Sequence, residues 1–191
     1  MQFRVGSWTG RCVPISSSNE QQWRCQLGLR PPILIEWELE FRYTDEEAER
    51  ARHGQAVAPQ KATDHIELRV CGDGRGTNLA FRDFGMLRRN DRDPKRVVEQ
   101  DTSLTALQLE KTYKLRLDYD GSKAKASVDG KLVATLETAN LRGGFLEIWH
   151  DTDRPIAIRK IVAQGERDPA TLVVTREAWI AAQVEEIAKG K

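Results

Sequence analysis

From Ile33 to Tyr43 the chain alternates. Ile33, Ile35, Trp37, Leu39 and Phe41 share one parity, and Leu34, Glu36, Glu38, Glu40 and Arg42 the other. A period of two puts one set on the core face of a β-strand and the other on its outer face. The same alternation returns between Thr112 and Gly165. Tyr113, Leu115, Leu117 and Tyr119 oppose Lys114, Arg116, Asp118 and Asp120, and Ala124, Ala126 and Val128 oppose Lys123, Lys125 and Ser127. Leu132, Ala134 and Leu136 follow, then Phe145 to Trp149, then Ile156 to Val162. Asp120-Gly121, Asp129-Gly130, Gly143-Gly144 and Arg154-Pro155 separate these runs. Asp-Gly supplies the positive φ that a two-residue hairpin turn requires. Short, evenly spaced strands of this kind predict an antiparallel sandwich or barrel.

Elsewhere the pattern is sparser. Phe3–Val5, Gln22–Leu29, Asp64–Val70, Asn78–Phe84 and Val97–Glu99 read as strands. Pro31-Pro32 is expected to end the second of these, because proline cannot donate to a ladder. Cys12–Glu20 and Gly85–Arg96 read as loops, and Thr44–Ala62 as a helical turn or two within a long charged loop. Near the C-terminus, Thr175 is a plausible N-cap, and Trp179, Ile180, Val184, Ile187 and Ala188 form a stripe at helical spacing. The expected organisation is a β-sandwich over residues 1–170, with a helix over 171–191 packed on it or serving as a linker.

The 191 residues suit one such domain. Lys plus Arg number 30 and Asp plus Glu 29, a net charge of +1, which gives no global electrostatic reason to bind nucleic acid or an anionic membrane. No apolar run is long enough to span a bilayer. The first residues lack the apolar core of a signal peptide, so the chain is either intracellular or a domain cut from a secreted or periplasmic protein. The three cysteines, Cys12, Cys25 and Cys71, make no disulfide framework. Cys12 and Cys25 could pair in an oxidising compartment, or all could be free buried thiols.

The strand ending in Asp-Tyr-Asp-Gly, the strand ending in Val-Asp-Gly, and Lys131-Leu-Val-Ala-Thr-Leu136 together resemble the closing half of a concanavalin-A-like jelly roll, as in laminin-G-type and glucanase-like domains. The run from Gly144 to Gly165 resembles most the 3-keto-disaccharide hydrolase domain family. There a glycine opens a strand, a histidine ends it, and the last strand carries an arginine; here these are Gly144, His150 and Arg159. Glu38 to Arg42 is similar to that family's early strand, and Arg69 stands where a strand following its Asn-Ser-Gly stretch ends in arginine, although this chain has Asp64-His65-Ile66 in place of that stretch. The resemblance implies an all-β, two-sheet antiparallel jelly-roll sandwich with an appended C-terminal α-helix, acting on or binding sugars.

Three clusters carry candidate chemistry. Glu36, Glu38 and Glu40 stand in a row about 7 Å apart along one strand face. Retaining glycosidases use two carboxyls roughly 5.5 Å apart, so Glu38 or Glu40 would be acid or nucleophile with Glu36 in the binding row; a solvated outer face explains the same spacing. Trp149 would stack on a sugar ring beside Glu147, and His150 could act as a general base near neutral pH; a core tryptophan followed by turn residues explains them too. Arg69 and Arg159 would bind substrate. Asp151 and Asp153, with backbone carbonyls, would suit a calcium ion; otherwise no metal or cofactor is expected. Asp118, Asp120 and Asp129 are explained by the hairpin, since Lys123 stands where a calcium loop needs glycine. Gly72–Thr77 lacks the final glycine of a nucleotide loop and reads as a turn. The arginines between 88 and 96 alternate with aspartates and lack aromatics, a poor nucleic-acid surface. No serine-based motif occurs.

The leading expectation is a carbohydrate-binding or glycoside-acting domain that uses the concave sheet. The alternative is a non-catalytic interaction or scaffold domain, binding a protein partner or a second copy through the C-terminal helix and charged loops.

Overall fold

The computed structural model describes residues 2–5, 8–14, 21–57, 65–71, 78–82, 86–90, 108–137, 143–151 and 154–169, together with 177, 180, 181 and 184. The strands are β1 (Gln2–Val5), β2 (Trp8–Pro14), β3 (Gln21–Phe41), β4 (His65–Cys71), β5 (Asn78–Arg82), β6 (Met86–Asn90), β7 (Thr112–Tyr119), β8 (Lys123–Val128), β9 (Lys131–Glu137), β10 (Gly144–Asp151) and β11 (Ile156–Arg167); one helix, α1 (Asp45–Arg52), follows β3.

The strands form two layers of one curled antiparallel sheet. The first layer runs β6-β5-β4-β10-β3-β2 and uses Gln21–Leu29 of β3. The second runs β9-β8-β7-β3-β11-β1 and uses Ile33–Phe41 of the same strand. The β1–β2 hairpin links the two layers, and β1 meets β11 in parallel. This is the two-sheet jelly roll expected from the alternation. The core parity is buried as expected: Ile35, Leu39, Phe41, Leu117, Ala124 and Ala126 are all fully shielded. Trp37 of the second layer meets Phe81 of the first edge-to-face, with ring centroids 5.6 Å apart, so these side chains seal the interior from both sides.

Three sequence expectations change. β3 does not stop at Pro31-Pro32. Its pairing with β10 ends at Leu29 and its pairing with β7 begins at Ile33, while the ladder to β11 shifts register between Gln164 and Glu166. The prolines sit in a bulge at the crossing between layers, where no ladder hydrogen bond is asked of them. Cys12 to Pro14 belong to β2, and the register sets Cys12 directly opposite Cys25. Residues 86–90 form β6 rather than loop, anchored by the fully buried Leu87; one core residue in so polar a stretch leaves little pattern to read.

The charged segment after β3 does hold a helix. Thr44 accepts from the Glu47 backbone N–H, and the Glu47 carboxylate accepts from the Thr44 N–H, a reciprocal cap. Burial pushes the Glu47 carboxyl up, but the Thr44 N–H and the guanidinium of Arg154, 2.8 Å away, outweigh it and hold it below its ordinary value. Arg154 is buried in the turn between β10 and β11, so this pair pins α1 to the sandwich. The C-terminal expectation falls mostly outside the described residues; Glu177, Ile180, Ala181 and Val184 are helical and exposed. Among the described residues no helix is long and apolar enough to cross a membrane.

Gly143 lies against the crossing. Its φ is +98°, and a Cβ there would clash with the Leu29 carbonyl oxygen. Gly143→Ala is expected to destabilise the fold by about 3–5 kcal/mol. Gly130→Ala, at φ +82° in an open turn, is expected to lose only about 1 kcal/mol. Urea melts of the two variants measure the difference.

Candidate functional site

The two layers present two different outer faces. On the second, Glu36, Glu38 and Glu40 form part of a ladder of opposite charges. Arg116 donates to Glu36 at 3.1 Å and to Asp118 at 2.7 Å. Glu38 lies in register between Lys114 and Lys160. Glu40 is shielded and accepts from Arg159 Nε at 3.0 Å, Thr112 Oγ1 at 2.9 Å and Arg42 Nε at 2.9 Å. The hydrogen bond from Arg159 outweighs burial, and with Thr112 and Arg42 lowers the Glu40 pKa from 4.5 to about 2. Such a carboxylate has no proton to donate near neutral pH. Arg159 is therefore Glu40's partner on this face, far in the topology from Trp149.

The outer face of the first layer is built differently. Cross-strand partners share a face, so the register defines two rows. One runs Gln22 (β3), Trp149 (β10), Glu67 (β4), Arg82 (β5), Met86 (β6); the next runs Arg24, Glu147, Arg69, Ala80, Arg88. Glu67 and Glu147 are 4 % and 2 % exposed although they sit on the non-core parity of their strands. A carboxylate so shielded needs a cation or donors beside it. Arg69 Nε donates to Glu67 at 2.6 Å, and the same guanidinium lies 4.8 Å from the centroid of the Trp149 ring. Cation–π contact and salt bridge thus fix Arg69 from two sides.

Of the sequence-predicted residues, Trp149 and Arg69 meet. Glu36, Glu38, Glu40 and Arg159 are together on the other layer. His150 pairs in register with core-facing Ile66, so it has the opposite parity to Trp149 and stands half-buried near the C-terminal end of β10. Sequence reasoning passed over Glu67. Alternation marks Glu67 and Arg69 as outward, but only the β4–β10 pairing brings them to Trp149.

Among the described residues no three His, Cys, Asp or Glu side chains gather as a metal site. Asp120 accepts from the Ser122 and Lys123 backbone N–H groups, and Asp129 from that of Lys114, so both serve the hairpins. The Asp151–Asp153 pair, the Gly72–Thr77 turn and the arginines from 88 to 96 lie outside the described residues or side chains.

No protein-family model matches the chain, the 3-keto-disaccharide hydrolase domain included, and no curated protein matches it. Solved structures do. The carbohydrate-binding module CBM66 from Bacillus subtilis superposes with a TM-score of 0.55 at 9% identity, covering 85% of this chain and 90% of that one. A Bacillus subtilis protein of unknown function with a galectin-like fold gives 0.56 at 10% identity, over 81% and 85%. A glycosyl hydrolase-like protein from Parabacteroides distasonis gives 0.50 at 5% identity, over 76% and 74%. The fold is therefore that of the concanavalin-A-like, galectin-like jelly rolls.

Two outcomes test these networks. The Glu40 pKa is 4.5 in the unfolded chain and about 2 in the fold, so its stabilisation is complete above about pH 4.5 and is lost as the pH falls toward 2. Glu40→Gln is expected to flatten that acid limb. Its cost at neutral pH should be on the order of 1 kcal/mol, because Arg159 is half-exposed and screened; urea titrations across the acid range measure it. Arg69→Met removes one cation from beside a shielded carboxylate and is expected to cost about 1–3 kcal/mol, partly restored by adding Glu67→Gln. Chemical denaturation of the single and double variants shows whether the two sites are coupled.

Proposed function

We propose that this domain binds carbohydrate on the outer face of its first layer, across β10 and β4. The observation that carries the reading is the Trp149 ring held beside Arg69, Glu67 and Glu147. An indole offers an apolar plane to the C–H face of a sugar, and fixed guanidinium and carboxylate groups around it can receive or donate hydroxyl hydrogen bonds. The superposition on a carbohydrate-binding module agrees with this and adds no more than the fold. Binding is favoured over cleavage by the state of Glu40: of the carboxyls proposed as acid or nucleophile, it is held ionised and fully engaged, and it stands on the other layer from the aromatic platform.

A glycan array with the intact chain identifies the saccharide, and titration of the best ligand follows. Trp149→Ala is expected to weaken binding about tenfold or more, since stacking on one aromatic is worth about 1–2 kcal/mol. Lys160→Ala, on the opposite layer, is expected to leave it unchanged. Binding that survives Trp149→Ala intact, or an array with no saccharide retained, would refute the reading.

A further inference from the structure

We propose that Arg42 and Arg159, held in place by Glu40, form a binding site for a phosphate or sulfate group on the outer face of the second layer. The site stands on the layer opposite Trp149 and is independent of the carbohydrate reading.

A carboxylate offers about four lone-pair sites. Four donors already reach Glu40: Arg42 Nε at Oε1, and Arg159 Nε, Arg159 Nη2 and Thr112 Oγ1 at Oε2. Its side chain is only 6% exposed, so a ligand's donor finds little of it to reach. The two guanidiniums are in the opposite condition. Arg159 gives its Nε–Nη2 edge to Glu40, and Arg42 gives its Nε alone. The far edge of each, formed by Nη1 and Nη2, keeps a fork of parallel N–H groups. Both side chains are about half exposed, 47% for Arg42 and 51% for Arg159. Among the described residues no acid other than Glu40 is bonded to either. The nearby acids are engaged elsewhere: Glu38 stands in register between Lys114 and Lys160, and Glu110 accepts from the Tyr43 N–H.

The backbone is shaped for this arrangement. β11 carries one extra residue between Ile158, opposite Leu39, and Lys160, opposite Glu38. That residue is Arg159. A bulge re-aims a side chain and bends its strand. Here it brings Arg159 to Glu40 and leaves Lys160, the next residue, on the same outer face.

The ligand class follows from the two forks. Both guanidiniums bond to one carboxylate, so their free edges lie within reach of one small group. A carboxylate ligand fills a single fork with its two oxygens. A phosphate or sulfate group has a further oxygen for the second fork.

The test is titration of the intact chain with inorganic phosphate, sulfate and acetate at constant ionic strength, followed by the arginine side-chain Nε–H signals in proton–nitrogen correlation spectra. Phosphate or sulfate is expected to move the Arg42 and Arg159 signals saturably, and acetate to bind several-fold more weakly. The phosphate and sulfate arms separate those two sources. Arg116 is the internal control. Its guanidinium is spent on Asp118 and Glu36, and its signal is expected to stay in place. Arg42→Gln is expected to weaken binding about tenfold. Glu40→Gln separates a clamp from diffuse charge. It makes the face more positive, so charge alone would tighten binding, whereas a clamp that loses its anchor binds several-fold more weakly. Circular dichroism verifies that both variants are folded. Shifts that do not saturate, acetate binding as tightly as phosphate and sulfate, or tighter binding by Glu40→Gln would each overturn the proposal. The carbohydrate reading stands or falls separately, on Trp149→Ala.

Discussion

One strand belongs to both layers, and the fold depends on how it crosses. β3 runs 21 residues, pairs with β10 in its first half and with β7 and β11 in its second, and changes neighbours at Pro31-Pro32. The crossing works because it needs few hydrogen bonds and little room. Prolines occupy the positions without ladder duties, and Gly143 and Gly165 let neighbouring backbone approach within a distance no side chain would allow at Gly143. The core parity is the same on both sides of the crossing, so Leu29 and Ile33 are both buried and the interior continues through it.

That geometry decides what each run of charge can do. Glutamates alternate on β3, and Glu67 and Glu147 hold the same parity on β4 and β10, yet their surroundings differ. On the second layer, long basic side chains from β7 and β11 stand opposite the glutamates, half in water, and each contributes little beyond local order. On the first, shielding and the Trp149 ring bring carboxylate and guanidinium together out of water. Desolvation there is met at folding, so Arg69 is held in one orientation by Glu67 and the indole.

Much of the architecture was legible in the sequence because a half-buried strand leaves a two-residue period, and the Asp-Gly pairs mark its ends. β4, β7, β8, β9, β10 and the outward position of Glu36, Glu38 and Glu40 could be read this way. The continuation of β3 could not, since Pro31-Pro32 signals a stop unless the neighbouring strands are known to change there. β6 was hidden by its polarity. The site was legible only in halves. Alternation put Trp149 on the face opposite Ile148, and put Glu67 and Arg69 opposite Leu68, but pairing between strands some 80 residues apart is a property of topology that no local spacing carries. For the same reason the row of glutamates, whose spacing is the most regular in the chain, fell on a different layer from the aromatic.

Parity also separates Trp149 from His150, neighbours in sequence whose roles diverge once β10 is extended. The indole lies outward over Arg69, and the imidazole shares its side of the strand with the core-facing Ile148 and Ile66. A catalytic pair drawn from adjacent strand residues would need a twist or bulge between them, and the one irregularity in the pairing of β10 lies toward β3, where the step from Phe145 to Glu147 is matched by the longer step from Gly28 to Arg24. The pairing of β10 with β4 is regular from Phe145 to Asp151 and holds Glu147 and Trp149 on one face. The residues that the sequence groups as one site are thereby divided: Trp149 and Arg69 share the outer face of the first layer, Glu36, Glu38, Glu40 and Arg159 that of the second, and His150 the core side of β10.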